Sequence, residues 1–322
     1  MACARQERVI NMISYYKTID GCISRVDNLE PGCWVNVIAP DEQEIAVLKQ
    51  TFQVESEYIL SSLDEEESSH IETEDGHTFL IFDVPYVERD KDDIIYATMP
   101  IGVVVVPDHV ITISLKDNPV IMDFSQGVVK NVQTAYKTSF VLTMLFRMAT
   151  RFLQYLKQID KHSSNLETKL RKSMKNKELI QLLGLEKSLV YFQTSLKANE
   201  TTVEKILRGR YIKLYEEDQE LLEDVLIELK QAIEMSNIYS SILSGTMDAF
   251  ASVISNNLNI VMKVLAAITI LMSIPTIIFS FYGMNIGENT GLPLAGNIVF
   301  PLILTVVVTA IAGFILYKKD MF

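Results

Sequence analysis

Residues 264–282 read VLAAITILMSIPTIIFSFY and residues 298–317 read IVFPLILTVVVTAIAGFILY, runs of 19 and 20 without one charged side chain. A helix rising 1.5 Å per residue needs roughly 20 apolar residues to cross a hydrocarbon core ~30 Å thick, and both runs meet that need. Core helices of a soluble protein are the competing reading, but apolarity on every face, twice in succession, points to a bilayer. Pro275 is no obstacle, because neighbouring helices satisfy the carbonyl that it frees. Lys263 precedes the first run and Lys318 and Lys319 follow the second, whereas the segment between them has no Lys or Arg and one acid, Glu288. The positive-inside bias therefore predicts both chain ends in the cytosol and residues 283–297 outside, with the protein in the cell (plasma, or inner) membrane.

Upstream the chain is a different material. From position 261 onward the only charged residues are Lys263, Glu288, Lys318, Lys319 and Asp320, so the 48% hydrophobic and 22% charged fractions are segregated rather than mixed. Before position 261 stand 26 basic and 39 acidic residues, a formal charge of −13. That balance disfavours nucleic acid and favours cations as partners, or else serves solubility alone. Cys3, Cys22 and Cys33 show no CxxC spacing, which fits a reducing compartment. His70, His77, His109 and His162 form no HExxH or Cys/His cluster, so a zinc site within one segment is disfavoured. The first residues, MACARQERVINMISYYK, lack the apolar stretch and cleavage site of a signal peptide. No phosphate-binding Gly-rich loop and no kinase or hydrolase constellation occurs, which predicts a non-enzyme without an organic cofactor.

Residues 1–138 read as α/β. Strands are expected at 34–38, 77–84, 96–106 and 110–115, each β-branched or aromatic and bounded by Gly, Pro or Asp. One helix is expected from Pro40 and Asp41 to Thr51, and another ends at the acidic run 64–67. Strand order is not legible. Residues 139–176 and 178–207 read as long helices joined at KSMKNKE (172–178), within an antiparallel pair spanning 139–215. A third begins near Glu216, with Leu222, Val225, Leu226, Leu229 and Ile233 at one-face spacing. The expected fold is an α+β membrane protein: an N-terminal α/β cytosolic domain, a long helical stalk reaching residue 263, and two C-terminal transmembrane helices at 264–282 and 298–317. Residues 318–322 form a basic cytosolic end.

The first apolar run carries an internal stripe. Met262, Ala266, Thr269, Ser273, Thr276 and Ser280 alternate steps of four and three, and the alternation extends back, with little slippage, through Asn259, Ser255, Ser252, Asp248, Ser244, Ser241 and Asn237. Small and hydroxyl residues on one face suit close helix packing or a wet lumen, and the continuation below the membrane favours the lumen. Two helices cannot enclose a pore, but a ring of identical chains can.

The first run leads into FYGMNIGENTGLP, residues 281–293. Tyr282, Gly283, Met284 and Asn285 match the YGMN signature of the CorA magnesium-transporter family, and the whole chain resembles that family in layout. The resemblance implies a homopentamer in membrane lipid, a first span that lines the pore, and a second that faces lipid. It implies a selective entrance at Gly283, Met284 and Asn285, where amide and backbone oxygens hold Mg²⁺ by its inner water shell; an ordinary helix C-cap is the plainer role for Asn285. By position relative to the signature it places Asn259, Met262, Leu265 and Thr276 on the pore, joined by Thr269 and Ser273 of the stripe, with Met262 and Leu265 as a dewetting constriction. It also implies an intersubunit regulatory Mg²⁺ site at Asp224, in the acid-rich start of the third long helix. Candidate partners from the α/β domain are Asp83, Asp90, Asp92 and Asp93, chosen by their place after the second expected strand. Against magnesium stand another transported ion (Co²⁺, Ni²⁺ or Zn²⁺), a non-conducting membrane-anchored sensor, and a membrane-bound enzyme.

Overall fold

The computed structural model of the chain describes residues 13–74, 76–90, 93–173, 176–209, 211–284 and 299–319. They fall into two compact units, one ending at Gly245 and the other beginning at Thr246.

Seven strands build the first unit: β1 (Ile13–Ile19), β2 (Cys22–Val26), β3 (Trp34–Ile38), β4 (His70–Glu74), β5 (His77–Asp90), β6 (Asp93–Val105) and β7 (Val110–Ser114). They form one sheet in the order β2-β1-β3-β7-β6-β5-β4. Only the β3–β7 pair is parallel. The four expected strands are β3, β5, β6 and β7, with β5 running six residues further, to Asp90. The other three are additions. β1 and β2 turn at Asp20-Gly21, with φ of 50° and 79°, the left-handed pair that matches the twist of a tight hairpin. β4, HIETE, buries only Ile71, so its sequence looks like loop.

The sheet is covered on both faces. Alternation sends Val35 and Val37 of β3, Phe79 and Ile81 of β5 and Ile111 and Ile113 of β7 to one side, against Leu48 and Phe52 of α1 (Glu42–Phe52) and Ile59 of α2 (Ser56–Ser62). The start of α1 is fixed by a reciprocal cap: Asp41 Oδ1 accepts from Glu44 N at 2.8 Å and Glu44 Oε2 accepts from Asp41 N at 3.1 Å. On the other side Trp34, wholly buried, packs on Phe124 and Phe140 with ring centroids 6.3 and 5.6 Å away, and its indole donates to Thr112 Oγ1. These rings come from α3 (Pro119–Ser125) and α4 (Lys137–Ser173). Asp123 of α3, nearly buried, accepts from Arg147 Nε and from Nε and a terminal nitrogen of Arg151, both on α4. Two guanidinium groups on one buried carboxylate lock α3 to α4.

The long helices lie close to expectation: α4 as above, α5 (Asn176–Arg208) and α6 (Glu216–Tyr282). Asp218 Oδ2 accepts from Tyr215 N at 3.1 Å and closes the N-terminus of α6, while Leu222, Val225 and Leu229 turn inward, fully buried.

The second unit contains the rest of α6 and α7 (Val299–Lys318). Both are long and apolar enough to cross a membrane, yet only 6% and 17% of their most apolar stretches are buried within the chain. Core helices of a soluble protein have the opposite character, so that reading fails.

Candidate functional site

Within the second unit α6 has two faces of different kind. Ala267 is fully buried, and Val264, Leu271, Ile274, Ile278 and Tyr282 are half-buried. Leu271 packs against Gly313 of α7, and the Tyr282 ring sits 6.2 Å from that of Phe300. Adding two to each of positions 264, 267, 271, 274 and 278 gives Ala266, Thr269, Ser273, Thr276 and Ser280, all exposed. Two residues at about 100° each turn the helix roughly 200°. The small-residue stripe therefore lies on the side of α6 opposite the one packed on α7.

Three of its hydroxyls are already committed as donors. Thr269 Oγ1 donates to Leu265 O at 2.8 Å, Ser273 Oγ to Ile270 O at 2.7 Å, and Thr276 Oγ1 to Met272 O at 3.2 Å. A hydroxyl has one hydrogen and two lone pairs, so what it offers outward after such a bond is acceptor capacity. Below the hydroxyls, Met262 and Leu265 are each 56% exposed, and Asn259 is exposed too.

The stripe does not continue unchanged into the first unit. Asn237 Oδ1 accepts from Gln193 Nε2 at 2.7 Å, and Ser244 is hydrogen-bonded to Glu186, both partners belonging to α5. The expectation that these lower positions face a lumen is corrected: they bind helix to helix.

At the upper end Gly283 N donates to Phe279 O at 2.9 Å, and a Cβ at position 283 would stand 3.0 Å from that same oxygen. Any larger residue crowds the last turn. Met284 is 62% exposed, and Asn285 lies outside the described residues.

The acidic candidates are scattered. Asp224 is exposed on α6, as are Glu216, Glu217, Glu220 and Glu223, whereas Asp218 is consumed as the cap described above. Asp90 and Asp93 pair across the end of the β5–β6 hairpin, but their side chains, and all of Asp92, lie outside the described residues. Asp83 is held inside its own chain, under α5. Its backbone exchanges two 2.9 Å hydrogen bonds with the Asn199 side chain, and its carboxylate is bonded to Ser195, whose Oγ is 2.8 Å from Thr98 Oγ1. Burial pushes the Asp83 carboxyl above the usual carboxylate range, and the Ser195 bond opposes this. These contacts argue against Asp83 as a ligand reaching toward another subunit. Among the described residues no group of three or more His, Cys, Asp and Glu side chains is placed to hold a metal ion.

Residues 30–318 match the family model of the CorA-like Mg2+ transporter protein. The chain is 27% identical over 269 residues to the cobalt/magnesium transport protein CorA of Methanocaldococcus jannaschii, covering 82% of each chain. It is 23% identical over 325 residues to the magnesium transport protein CorA of Campylobacter jejuni, covering 95% of this chain and 98% of that one. The complete structure of the CorA magnesium transporter from Methanocaldococcus jannaschii superposes with a TM-score of 0.77 at 22% identity, over 99% of this chain and 98% of that one.

Proposed function

The chain belongs to the CorA-like Mg²⁺ transporter family, and on that premise we propose that it forms a ring of identical subunits, a pentamer by family resemblance, that lets Mg²⁺ pass into the cell. The observation that carries the reading is the stripe on α6: the hydroxyl hydrogens of Thr269, Ser273 and Thr276 are spent on the helix, and the stripe faces away from α7. With α7 toward lipid, the stripe of each copy turns toward a common axis. A hydrated cation presents hydrogen atoms outward, and a wall of hydroxyl acceptors is their complement. Mg²⁺ sheds water reluctantly, so a wall that binds its waters conducts it without stripping them.

In this reading Gly283, Met284 and Asn285 form the outer entrance, where an amide ring recognises the hydrated ion. Asn259, Met262, Leu265, Thr269, Ser273 and Thr276 line the path, and apolar rings at Met262 and Leu265 close it by dewetting. Both ends of the chain are cytosolic. No coupled reaction is required, since two charges moving into a negative interior gain roughly 4.6 kcal/mol per 100 mV. Such a gradient calls for feedback. Intracellular Mg²⁺ bridging Asp224 to Asp90, Asp92 or Asp93 of a neighbour supplies it, by favouring the closed ring through differential affinity. Asp83, committed to Ser195, is set aside from that group. Co²⁺, Ni²⁺ and Zn²⁺ remain the competing cargoes, and parallel flux assays with each rank them.

Cysteine accessibility tests the path. In a cysteine-free background, Thr269→Cys and Thr276→Cys are expected to react with a charged thiol reagent and lose Mg²⁺ flux, whereas Val306→Cys on α7 keeps its flux. Flux block at Val306 with none at Thr269 and Thr276 would reverse the assignment of the two helices.

A further inference from the structure

Pro301, Thr305, Thr309 and Gly313 follow one another along α7 at steps of four, and all are buried or half-buried. Two contacts fix how this face is aligned with α6. Leu271 packs on Gly313, where an added Cβ would stand 3.8 Å from the leucine Cδ2, and the Tyr282 ring lies beside that of Phe300. The two helices are therefore antiparallel. Thr309, one turn back along α7 from Gly313, comes level with residues 273–275, one turn on along α6 from Leu271.

At that level two polar groups each lack the partner they would ordinarily have. Pro275 stands inside α6 without an N–H, so the carbonyl of Leu271, four residues earlier, loses the donor of its turn. Thr309 Oγ1 has no hydrogen-bond partner and almost no accessible surface. Thr269, Thr276 and Thr305 show the usual behaviour of a helical threonine, each donating to the carbonyl four residues back, Thr305 to Pro301 O at 2.7 Å. Thr309 makes no such bond to Thr305 O. Water is no remedy, because the oxygen is closed off and a bilayer core offers none. A polar group so placed finds its partner on the neighbouring helix.

We propose that Thr309 is a positioning residue for α6: when the two helices close on each other, its hydroxyl donates to the Leu271 carbonyl that Pro275 leaves open. The arrangement described here is the unclosed one, with the two groups level but unbonded. Gly313, one turn away, has no side chain to hold the backbones apart, so the approach is open to the pair. A proline bend pivots about the missing ladder bond. Supplying that carbonyl with a donor from α7 fixes the angle at which residues 276–282 leave the lower part of α6. Neither a ring of subunits nor a conducted ion is required, so the proposal stands or falls apart from the transport reading.

The test reads the carbonyl itself, in the full chain reconstituted in lipid. Leu271-Met272 is the only Leu-Met step in the sequence. Leucine labelled with ¹³C at its carbonyl, together with ¹⁵N-methionine, therefore gives a single carbonyl–nitrogen cross-peak in magic-angle-spinning NMR, and hydrogen bonding moves that carbon downfield. Thr309→Val keeps the shape and removes the hydroxyl, so the Leu271 signal is expected to move upfield, while Thr309→Ser should hold it in place. Pro275→Ala restores the ladder N–H, and in that background Thr309→Val should leave the signal where it is. A Leu271 signal indifferent to Thr309→Val beside Pro275, as when the hydroxyl turns back to Thr305 O, would overturn the proposal. So would an equal upfield shift in the Pro275→Ala background, which reports disturbed packing and not a lost bond.

Discussion

Leu48 and Leu302 are the same side chain in opposite circumstances. The first, in α1, is wholly buried beneath the sheet, and the second, on α7, is 53% exposed. The contrast extends to whole units. Val35, Ile81 and Ile111 of the sheet are fully buried, while Met272 is 71% exposed and Phe314 69%. One unit supplies its own apolar environment, and the other borrows one. The difference teaches that exposure of apolar surface is uninformative until the solvent is named: the hydrophobic effect sorts the first unit, whereas the second is arranged by what each helix face must meet.

The sharpest way to break this comparison is at the upper end of α6. Asn285→Ala is expected to remove Mg²⁺ uptake, measured by a fluorescent indicator in vesicles, while the purified protein keeps its subunit stoichiometry by mass. Normal uptake would reduce Asn285 to a helix cap. Next in size is the leucine pair. Leu48→Ala should lower unfolding stability of the first unit by about 2–5 kcal/mol, because a buried side chain leaves a cavity. Leu302→Ala, with no protein core to lose, should leave thermal unfolding in detergent nearly unchanged. Equal losses would mean that the two units share one kind of core.

A smaller effect concerns the acidic groups of the first unit. Asp224→Ala is expected to weaken, without abolishing, the protection from proteolysis that Mg²⁺ gives the purified protein, and to leave flux less inhibited at high internal Mg²⁺. Unchanged protection and inhibition would place sensing elsewhere. Smallest is Asp83→Asn. Burial raises this carboxyl in the folded chain, so the folded state binds the proton more tightly than the unfolded state, whose value is about 3.9. The resulting stability is present below that value and is lost as pH rises through the folded one. The asparagine cannot ionise, so its melting temperature should fall less over that window, as scanning calorimetry would show.

How much of this was legible depended on where the signal resides in the chain. Uninterrupted apolarity gave both membrane-length helices, and three-and-four spacing gave the long helices to within a few residues, because each is a local property of one segment. The face relation between the stripe and α7 needed the packed pair, since a period alone does not say what the other side touches. The lumen expected at Asn237 and Ser244 failed for the same reason: polar residues at helical spacing serve a neighbouring helix as well as water. Strands β1 and β2 left one readable trace, Asp20-Gly21, and β4 left none, its edge position requiring little apolar surface.

The central claim is passage of Mg²⁺ along the hydroxyl face of α6, and its most direct test is flux into sealed vesicles that contain only this protein. With an inside-negative potential and no nucleotide present, internal Mg²⁺ should rise, and Thr269→Cys treated with a charged thiol reagent should stop the rise. Absence of flux under that potential, or flux indifferent to the blocked stripe, would contradict the account.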